Sequence, residues 1–392
     1  MRVPHDLDGV QGFRCLDVAS ERSDSSRVDA LETVLPKVAQ RCPRVSLGIW
    51  PTPIHPLNGV GRAAVYIKRE DQSSPIYGGN KIRCLETTFA QCLEQGIRRV
   101  WGIGAWGSNQ AVAIALHGPR VGFRTGALLV PQPPSVAAAD NLAVTVGAVD
   151  ALRLQRSLVS APWAYLRLWS RRRAADDALI APGAANPVGA IGHLAAALEV
   201  ALAVEAGELP SPKHIVLPVG STCTSAGLLV GFAVAARLRI GLDTMPTIHA
   251  VRVTPWPITA AFRIRRLAHA TARHLATLGG PAICDDLGWL RSLRTVAGYL
   301  GWGYGRTTPS GRAAIGRFEA VRGPTLDTTY SAKAAAGLLD LVPRIEGPVL
   351  FWSTKSAAPM PPLVPERLQA LPPSVRRWLR KGQVDWRALP SP

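Results

Sequence analysis

The sequence predicts an α/β protein with two lobes, each built on a mostly parallel β-sheet flanked by helices. Short apolar runs alternate with amphipathic stretches along the middle of the chain, which is the pattern of β-α-β units on a parallel sheet. The chain has 392 residues, whereas a single hydrophobic core stops growing near about 250–300 residues. Hydrophobic residues form 47% and charged residues 18% of the chain, as is typical of globular proteins. We expect a cleft between the lobes, because ligands of such sheets bind beyond the carboxyl ends of the strands.

The predicted elements fall into two series in which short apolar strands alternate with helices. The first series has strands at 64–68, 99–103 and 126–130 and helices at 81–95 and 109–116. The second series has helices at 191–205 and 225–238 and strands at 214–219, 247–253 and 349–352. The segments before about residue 45 and after about residue 357 are polar or rich in proline, so we interpret both as extensions.

The formal net charge of +18 raises the question of nucleic-acid binding, because a basic surface attracts phosphate polymers. The arginines lie in short clusters such as 171–173, without a zinc finger, an RNP motif or an aromatic stacking platform, so no specific nucleic-acid partner is expected. No apolar run approaches the ~20 residues of a membrane span, and His5, Asp6 and Asp8 lie where a signal peptide would be apolar. We therefore expect a cytoplasmic protein without a membrane partner.

Cysteine and lysine usage narrows the possible chemistry. The six cysteines are scattered, and none belongs to a C-x-x-C pair. Neither a disulfide framework nor a zinc site is indicated, and we expect reduced thiols and no metal. The chain has only seven lysines, which shortens the list of candidate reactive amines.

A Gly-Gly turn delivers Lys81 to the start of a predicted helix. Gly78 and Gly79 permit backbone geometry that a Cβ would block. A lysine at a helix N-terminus lies at the positive end of the helix dipole, which disfavours its protonated form and suits an amine that attacks an aldehyde. Taken alone, the turn is also compatible with an ordinary solvated lysine.

Two small-residue loops follow predicted strands and precede predicted helices. The loop at 220–227 offers backbone N–H groups and the hydroxyls of Ser221, Thr222 and Thr224, a donor set that suits a phosphate. No lysine follows in the manner of a nucleotide P-loop, so a smaller phosphorylated cofactor fits better. The loop at 104–110 has hydroxyl and amide groups that suit a carboxylate or a cofactor oxygen. Each loop by itself is also compatible with a simple helix cap.

Together, in this order and spacing, the segments resemble the fold-type II pyridoxal phosphate (PLP) enzymes, and specifically the 1-aminocyclopropane-1-carboxylate deaminase/D-cysteine desulfhydrase family. The resemblance covers about residues 49–351. It is carried by the segments 50–53, 66–71, 78–81, 108–110, 220–224, 303–305, 327–333 and 351–354. It implies the tryptophan synthase β-like fold, with a large PLP-binding domain at 46–83 and 190–358 and a small α/β domain at 84–189. The remaining segments are an N-terminal extension at 1–45 and a Pro-rich basic tail at 359–392.

The resemblance implies how the cofactor would be held. Lys81 would carry PLP as a Schiff base, Asn109 would hydrogen-bond the ring oxygen, and Thr354 would lie beside the pyridine nitrogen. The phosphate would be held by one loop, which comprises Gly220, Ser221, Thr222, Cys223 and Thr224.

The resemblance also implies the chemistry. Asn80, Ser108 and Gln110 would contact the substrate, the last two at its carboxylate, while Tyr304 and Tyr330 would be the two active-site tyrosines that act as acid, base or nucleophile. The reaction would be β-elimination from a small amino acid such as D-cysteine, or opening of a cyclopropane ring. Either gives a 2-oxo acid and ammonia. A homodimer is the assembly that the resemblance implies.

Several residues depart from the family pattern at the site. Thr222 and Cys223 stand where the family usually has two glycines, so we expect their side chains to occupy the space closest to the phosphate. Cys84 replaces a second lysine, and Lys355-Ser356 replaces a Gly-Gly pair. Two hypotheses therefore remain: an active lyase or deaminase, and a non-catalytic or repurposed PLP-binding protein descended from this family.

Overall fold

The computed structural model describes residues 29–172 and 175–383 as an α/β fold with two sheets flanked by helices, so the predicted fold class is confirmed. The ten strands of these residues are β1 (Ile54–Pro56), β2 (Val65–Lys68), β3 (Arg99–Ala105), β4 (Arg124–Val130), β5 (Ala151–Leu154), β6 (Asp177–Ile180), β7 (His214–Val219), β8 (Thr247–Arg252), β9 (Leu293–Val296) and β10 (Val349–Trp352). The helices are α1 (Ala30–Val34), α2 (Pro36–Arg41), α3 (Lys81–Glu94), α4 (Asn109–His117), α5 (Val136–Ala148), α6 (Ala161–Arg171), α7 (Pro187–Glu205), α8 (Cys223–Leu238), α9 (Ala261–Thr277), α10 (Pro309–Ala320), α11 (Ser331–Leu341), α12 (Pro365–Gln369) and α13 (Pro373–Lys381).

The larger sheet has six strands in the order β1-β2-β10-β7-β8-β9. Only the edge strand β1 runs antiparallel to its neighbour, and the other pairs are parallel. All four residues of β10 are buried, because helices cover both faces of a parallel sheet. The carboxyl ends of β2, β10 and β7 therefore open on the same edge.

The smaller sheet has four parallel strands in the order β5-β4-β3-β6. The strand β3 is central, and the loop after it leads into α4. The larger sheet joins β2, from the first predicted series, to β7, β8 and β10 from the second, and the smaller sheet contains β3 and β4 of the first series. The strands β1, β5, β6 and β9 were not predicted.

The central helix of the larger lobe is α7, which packs against α3, α8 and α9. By length and composition it could cross a membrane, so the expectation that no apolar run approaches a membrane span was wrong for this segment. However, 72% of its apolar window is buried inside the protein. A buried helix of this kind is apolar on every side because other elements surround it.

A buried ion cluster fixes the first turn of α3 to its surroundings. Arg83 donates to Glu70 at 2.6 and 2.7 Å and to Glu199 of α7 at 2.8 Å through two nitrogens. Lys68, at the end of β2, donates to Glu199 at 2.6 Å. The arginine is 2% exposed, and its guanidinium stacks on the ring of Trp50 at 3.9 Å. Because a buried charge is costly without its partner, this cluster sets where Lys81 begins its helix.

The two segments expected to be extensions are folded in part. Leu31 of α1 and Val38 of α2 are fully buried in the core of the larger lobe. At the other end, α12 and α13 pack on α5, and the ring of Trp378 meets Trp106 edge-on at a centroid distance of 5.2 Å. The apolar residues of these segments are too few and too widely spaced in sequence to predict the contacts.

Candidate active site

The candidate site lies where the carboxyl ends of strands from both sheets meet. The loop after β3 leads into α4, the loop after β7 leads into α8, and the segment after β10 runs beside the turn before α3. The predicted cofactor and substrate residues lie in these four segments and in the segments that carry Tyr304 and Tyr330.

Lys81 is the first residue of α3 and is half-buried. The turn before it approaches other backbone closely: a Cβ on Gly78 would lie 2.7 Å from the carbonyl oxygen of Asp71, and one on Gly79 would lie 2.6 Å from that of Thr354. Gly79 also has a φ of +96°, which favours glycine. Gly78 is therefore required by the packing of the turn against residues 71–74, which follow β2, and Gly79 by its packing against the segment after β10.

The turn that carries Lys81 is bonded to the predicted phosphate loop. Asn80 donates from Nδ2 to Thr224 Oγ1 at 2.8 Å, and the same hydroxyl lies 3.3 Å from Nε2 of His193. Thr224 and His193 are 4% and 0% exposed. The predicted substrate contact of Asn80 is thus a contact with the loop in this structure.

The loop at 220–224 presents the N-terminus of α8. The residue before the helix, Thr222, makes no capping hydrogen bond with its side chain, so the first N–H groups of the helix are available to an anion. Among the described residues, Ser225 Oγ is buried without a hydrogen-bond partner. An uncapped helix N-terminus with hydroxyls from Ser221 and Thr222 fits a phosphate.

The Cys223 side chain points away from this N-terminus, and our expectation that it occupies the phosphate space was wrong. Its thiol bonds the carbonyl oxygen of Ala184 at 3.2 Å and is fully buried. The mutual influence of the two buried thiols lowers the pKa of Cys84 and, together with burial, raises that of Cys223. Cys84 and Cys223, which both depart from the family pattern, therefore lie close to each other beneath the loop. The cysteines of the described residues are free thiols.

The residues at the start of α4 have different roles. Ser108 caps the helix, accepting from the N–H of Ala111 at 3.3 Å. Asn109 Oδ1 accepts from the Tyr77 hydroxyl at 3.0 Å and from Asn141 Nδ2 at 2.7 Å, which leaves the amide nitrogen of Asn109 for a ligand.

Gln110 supports a neighbouring loop. Its Nε2 donates to the carbonyl oxygen of Ala181 at 2.9 Å, and its Oε1 accepts from the N–H of Gly183. The nitrogen and the oxygen of the side-chain amide are thus both hydrogen-bonded to backbone groups. The structure therefore gives Gln110 a positioning role instead of the predicted contact with the substrate carboxylate.

The predicted active-site tyrosines are brought together. The hydroxyls of Tyr304 and Tyr330 share a hydrogen bond, and the rings meet edge-on with centroids 5.9 Å apart. A Cβ on Gly220 would lie 2.7 Å from the Tyr330 ring, which places this ring against the phosphate loop. Burial raises the pKa of Tyr304 to about 12 and that of Tyr330 well above its usual value. Both phenols are therefore protonated at neutral pH.

A turn before α11 orients Tyr330. The Asp327 carboxylate accepts from the N–H groups of Thr329 and Tyr330 at 2.9 Å and of Ser331 at 3.0 Å. Lys333, one turn into the helix, donates to the carbonyl oxygens of Leu300 and Gly303, at 2.9 and 3.3 Å, which holds the segment with Tyr304. Asp327 thus forms an Asx-type turn with the N–H groups two and three residues further on, a local signal that sequence reasoning could have used.

The segment after β10 places Thr354 and Lys355 in the site. Thr354 accepts from the N–H of Asn80 at 3.3 Å and is 7% exposed. Lys355 donates to the Tyr77 hydroxyl at 3.2 Å and to Asn141 Oδ1 at 3.4 Å. Neither Tyr77 nor Asn141 was predicted as a site residue, and no local signal distinguishes them from other buried polar residues.

The donor set suits pyridoxal phosphate. An amine at one helix N-terminus lies beside a second, uncapped helix N-terminus, since Asn80, which precedes Lys81, bonds Thr224 in the first turn of α8 at 2.8 Å. An amine and an anion cradle side by side match the aldehyde and the phosphate of that cofactor. Among residues 29–172 and 175–383, no cluster of three or more His, Cys, Asp or Glu side chains is arranged to hold a metal ion.

Comparison with known proteins supports the same cofactor. The family described as pyridoxal-phosphate dependent enzyme matches residues 45–354. Nocardicin C-9' epimerase of Nocardia uniformis subsp. tsuyamanensis is 35% identical over 336 residues, which are 82% of this chain and 97% of the epimerase. D-cysteine desulfhydrase of Salmonella choleraesuis (strain SC-B67) is 30% identical over 338 residues, which are 81% of this chain and 95% of that enzyme.

Solved structures share the fold. A crystal structure of an ACC deaminase homologue superposes with a TM-score of 0.67 at 24% identity, covering 88% of this chain and 99% of the homologue. O-ureido-L-serine synthase superposes with a TM-score of 0.53 at 16% identity, covering 78% of this chain and 89% of the synthase.

Proposed function

This chain belongs to the pyridoxal-phosphate dependent enzyme family, and from that premise we propose that it moves a proton at Cα of an amino-acid substrate. The principal outcome proposed is epimerisation at that carbon. β-Elimination to a 2-oxo acid and ammonia is the second candidate. The observation that carries the proposal is that two proton-carrying groups adjoin the same loop: the turn of Lys81 is bonded to it through Asn80 and Thr224, and the Tyr330 ring of the Tyr304–Tyr330 pair packs against Gly220.

The residues of the site would hold the cofactor as follows. Lys81 would bind its aldehyde carbon, the N-terminus of α8 with Ser221 and Thr222 would bind its phosphate, and Asn109 would offer an amide nitrogen to its ring oxygen. Thr354 is the proposed neighbour of the ring nitrogen. When bound, pyridoxal phosphate supplies an electron sink for the electron pair left at Cα.

The protein's own groups then decide what happens to the protons. The Lys81 amine, freed when the substrate's amino group takes its place on the aldehyde carbon, would take the proton from Cα, because the Gly-Gly turn holds it beside the loop. Tyr330, protonated and bonded to Tyr304, can return a proton to Cα from another direction, which inverts the carbon. A general acid of this kind contributes typically about 10²–10⁴-fold to the rate.

The second candidate uses the same groups. A protonated tyrosine near the β-carbon donates its proton to a leaving group, which gives β-elimination instead of inversion. The similarity to D-cysteine desulfhydrases over most of the chain favours this candidate, whereas the similarity to an epimerase favours the first. The non-catalytic alternative is not favoured, because the amine, the loop and the tyrosine pair are all in place.

Isotope exchange tests the proposal. The holoenzyme is incubated in D2O with D- and L-amino acids, including serine, cysteine and alanine, and Cα deuteration is followed by NMR. Chiral chromatography and assays for 2-oxo acid and ammonia separate the two outcomes. Deuterium at Cα with formation of the opposite enantiomer supports epimerisation. Absence of both exchange and product over the whole panel, in protein whose visible spectrum shows cofactor on Lys81, would contradict the proposed function.

A further inference from the structure

Lys355 is fixed in the candidate site by the backbone on both sides of it. It forms an antiparallel bridge with Gly79. The N–H of Asn80 donates to Thr354 O at 3.3 Å, and the N–H of Gly78 donates to Ser356 Oγ at 2.9 Å. The position of Lys355 is therefore fixed by hydrogen bonds to the turn that precedes Lys81.

The amine of Lys355 shares its neighbours with Asn109. The Tyr77 hydroxyl and the Asn141 side chain, which Lys355 contacts at 3.2 and 3.4 Å, are the same two groups that donate to Asn109 Oδ1 at 3.0 and 2.7 Å. Asn109 is the proposed contact of the cofactor ring. The Lys355 amine is thus separated by one shared hydrogen-bond partner from Asn109, the residue that we propose contacts the cofactor ring.

The charge of Lys355 has no counter-ion in direct contact. Among residues 29–172 and 175–383, Lys355 forms no ion pair within 4.0 Å. The side chains it contacts are neutral: burial raises the pKa of the Tyr77 phenol, and Asn141 is an amide. Asp140 is near enough for Lys355 to lower its pKa, although burial is the larger influence and raises it. A half-buried ammonium with two neutral contacts keeps one of its three donors for an anion.

The site already provides for the two anions expected in any amino acid complex of this cofactor. Under the proposed function, the uncapped N-terminus of α8 would take the phosphate, and the backbone at the start of α4, where the Ser108 hydroxyl is itself used as the cap, would take the carboxylate common to all amino acids. Resting on the proposed function, we propose that Lys355 binds a third anion, a carboxylate on the substrate side chain. The substrate class is therefore an amino acid with an acidic side chain.

Equilibrium binding tests this assignment without turnover. The holoenzyme is titrated with D- and L-aspartate, glutamate and 2-aminoadipate, and with asparagine and glutamine as neutral counterparts, while the visible spectrum of the cofactor is recorded. At least one acidic amino acid is expected to bind about tenfold or more tightly than its amide, the scale of one charge-assisted hydrogen bond. Lys355→Met is expected to remove that preference, and Lys355→Arg to retain most of it.

Three results would overturn the assignment. The first is equal affinity of the unmodified enzyme for acids and for their amides, which contradicts the assignment of Lys355 before any variant is made. The proposed function is still supported in that case if neutral amino acids exchange their Cα proton. Equal weakening of acids and amides by Lys355→Met shows that Lys355 acts on the common carboxylate. A spectrum that no member of this panel changes contradicts the assignment of Lys355, whereas the proposed function is judged separately by Cα exchange in serine, cysteine and alanine.

Discussion

The Nδ2 of Asn80 lies 2.8 Å from Oγ1 of Thr224, and this hydrogen bond joins the turn that carries Lys81 to the loop at the start of α8. The two residues are 144 positions apart in sequence. A cofactor bound at both its aldehyde and its phosphate requires the distance between these segments to be fixed. The bond is buried, so removal of Thr224 leaves the Asn80 amide without this acceptor, whereas the Thr224 hydroxyl keeps its contact with His193 at 3.3 Å when Asn80 is removed.

Removal of this bond is expected to weaken cofactor binding. Asn80→Ala and Thr224→Ala should each raise the Kd for pyridoxal phosphate by about 2- to 10-fold, since one net hydrogen bond contributes about 0.5–1.5 kcal/mol. The double variant should cost less than the sum of the two single variants. Absorbance titration of the apoprotein measures the Kd. Strict additivity would show that the two side chains do not act through each other.

Cys223→Ala is expected to leave cofactor affinity within about twofold of the unmodified protein. The thiol points to Ala184 and away from the loop, so its removal changes a small buried contact whose net value is about 1 kcal/mol. The Kd and the thermal midpoint are measured together. A loss of affinity of tenfold or more would mean that the thiol lies in the phosphate space after all.

Arg83→Met is expected to destabilise the protein by about 3–5 kcal/mol, because it leaves Glu70 and Glu199 buried without their common partner. Arg83→Lys keeps the positive charge but not the forked geometry of the guanidinium. Its free energy of unfolding should therefore lie between those of the unmodified protein and Arg83→Met. Urea unfolding followed by far-UV circular dichroism gives both values. A neutral effect of Arg83→Met would show that the cluster does not hold the start of α3.

Tyr330→Phe and Tyr304→Phe are expected to lower kcat by about 10²–10⁴-fold with little change in cofactor affinity, because each removes a proton carrier and no cofactor contact. Since burial raises the pKa of Tyr304 to about 12, the acidic form is present below that pH. The unmodified enzyme should therefore show no loss of rate from tyrosine ionisation between neutral pH and about pH 10. A decrease in kcat between neutral pH and about pH 10 that is absent from the pH–rate profile of Tyr304→Phe would contradict this expectation.

Acid is expected to destabilise the protein through His117. Burial lowers the pKa of this side chain from 6.5 to about 4, and its Nε2 lies 2.9 Å from the carbonyl oxygen of Tyr77. Because the folded-state pKa is below the unfolded value, the unfolded chain binds more protons, and stability present above pH 6.5 is lost as the pH falls towards 4. The thermal midpoint should therefore fall less in His117→Gln than in the unmodified protein over this range. An identical fall in both proteins would assign the effect to other groups.

The sequence alone determined the fold class, the position of several elements and the cofactor. The predicted strands at 214–219 and 349–352 coincide with β7 and β10, because strands buried on both faces are continuous apolar runs. The start of α3 at Lys81 follows from a local signal, the Gly-Gly turn before it. These features depend on neighbours in the chain, which a sequence displays directly.

Tertiary structure decided which way the side chains of the site point and what they contact. The thiol of Cys223 donates to the carbonyl oxygen of Ala184, and the side-chain amide of Gln110 is hydrogen-bonded to the backbone of loop 181–183. Lys355 meets Tyr77 and Asn141. Each of these contacts joins residues far apart in the chain, and it forms only when separate strands and helices pack. A side chain's partners depend on that packing, so no local pattern of residue types could have specified them.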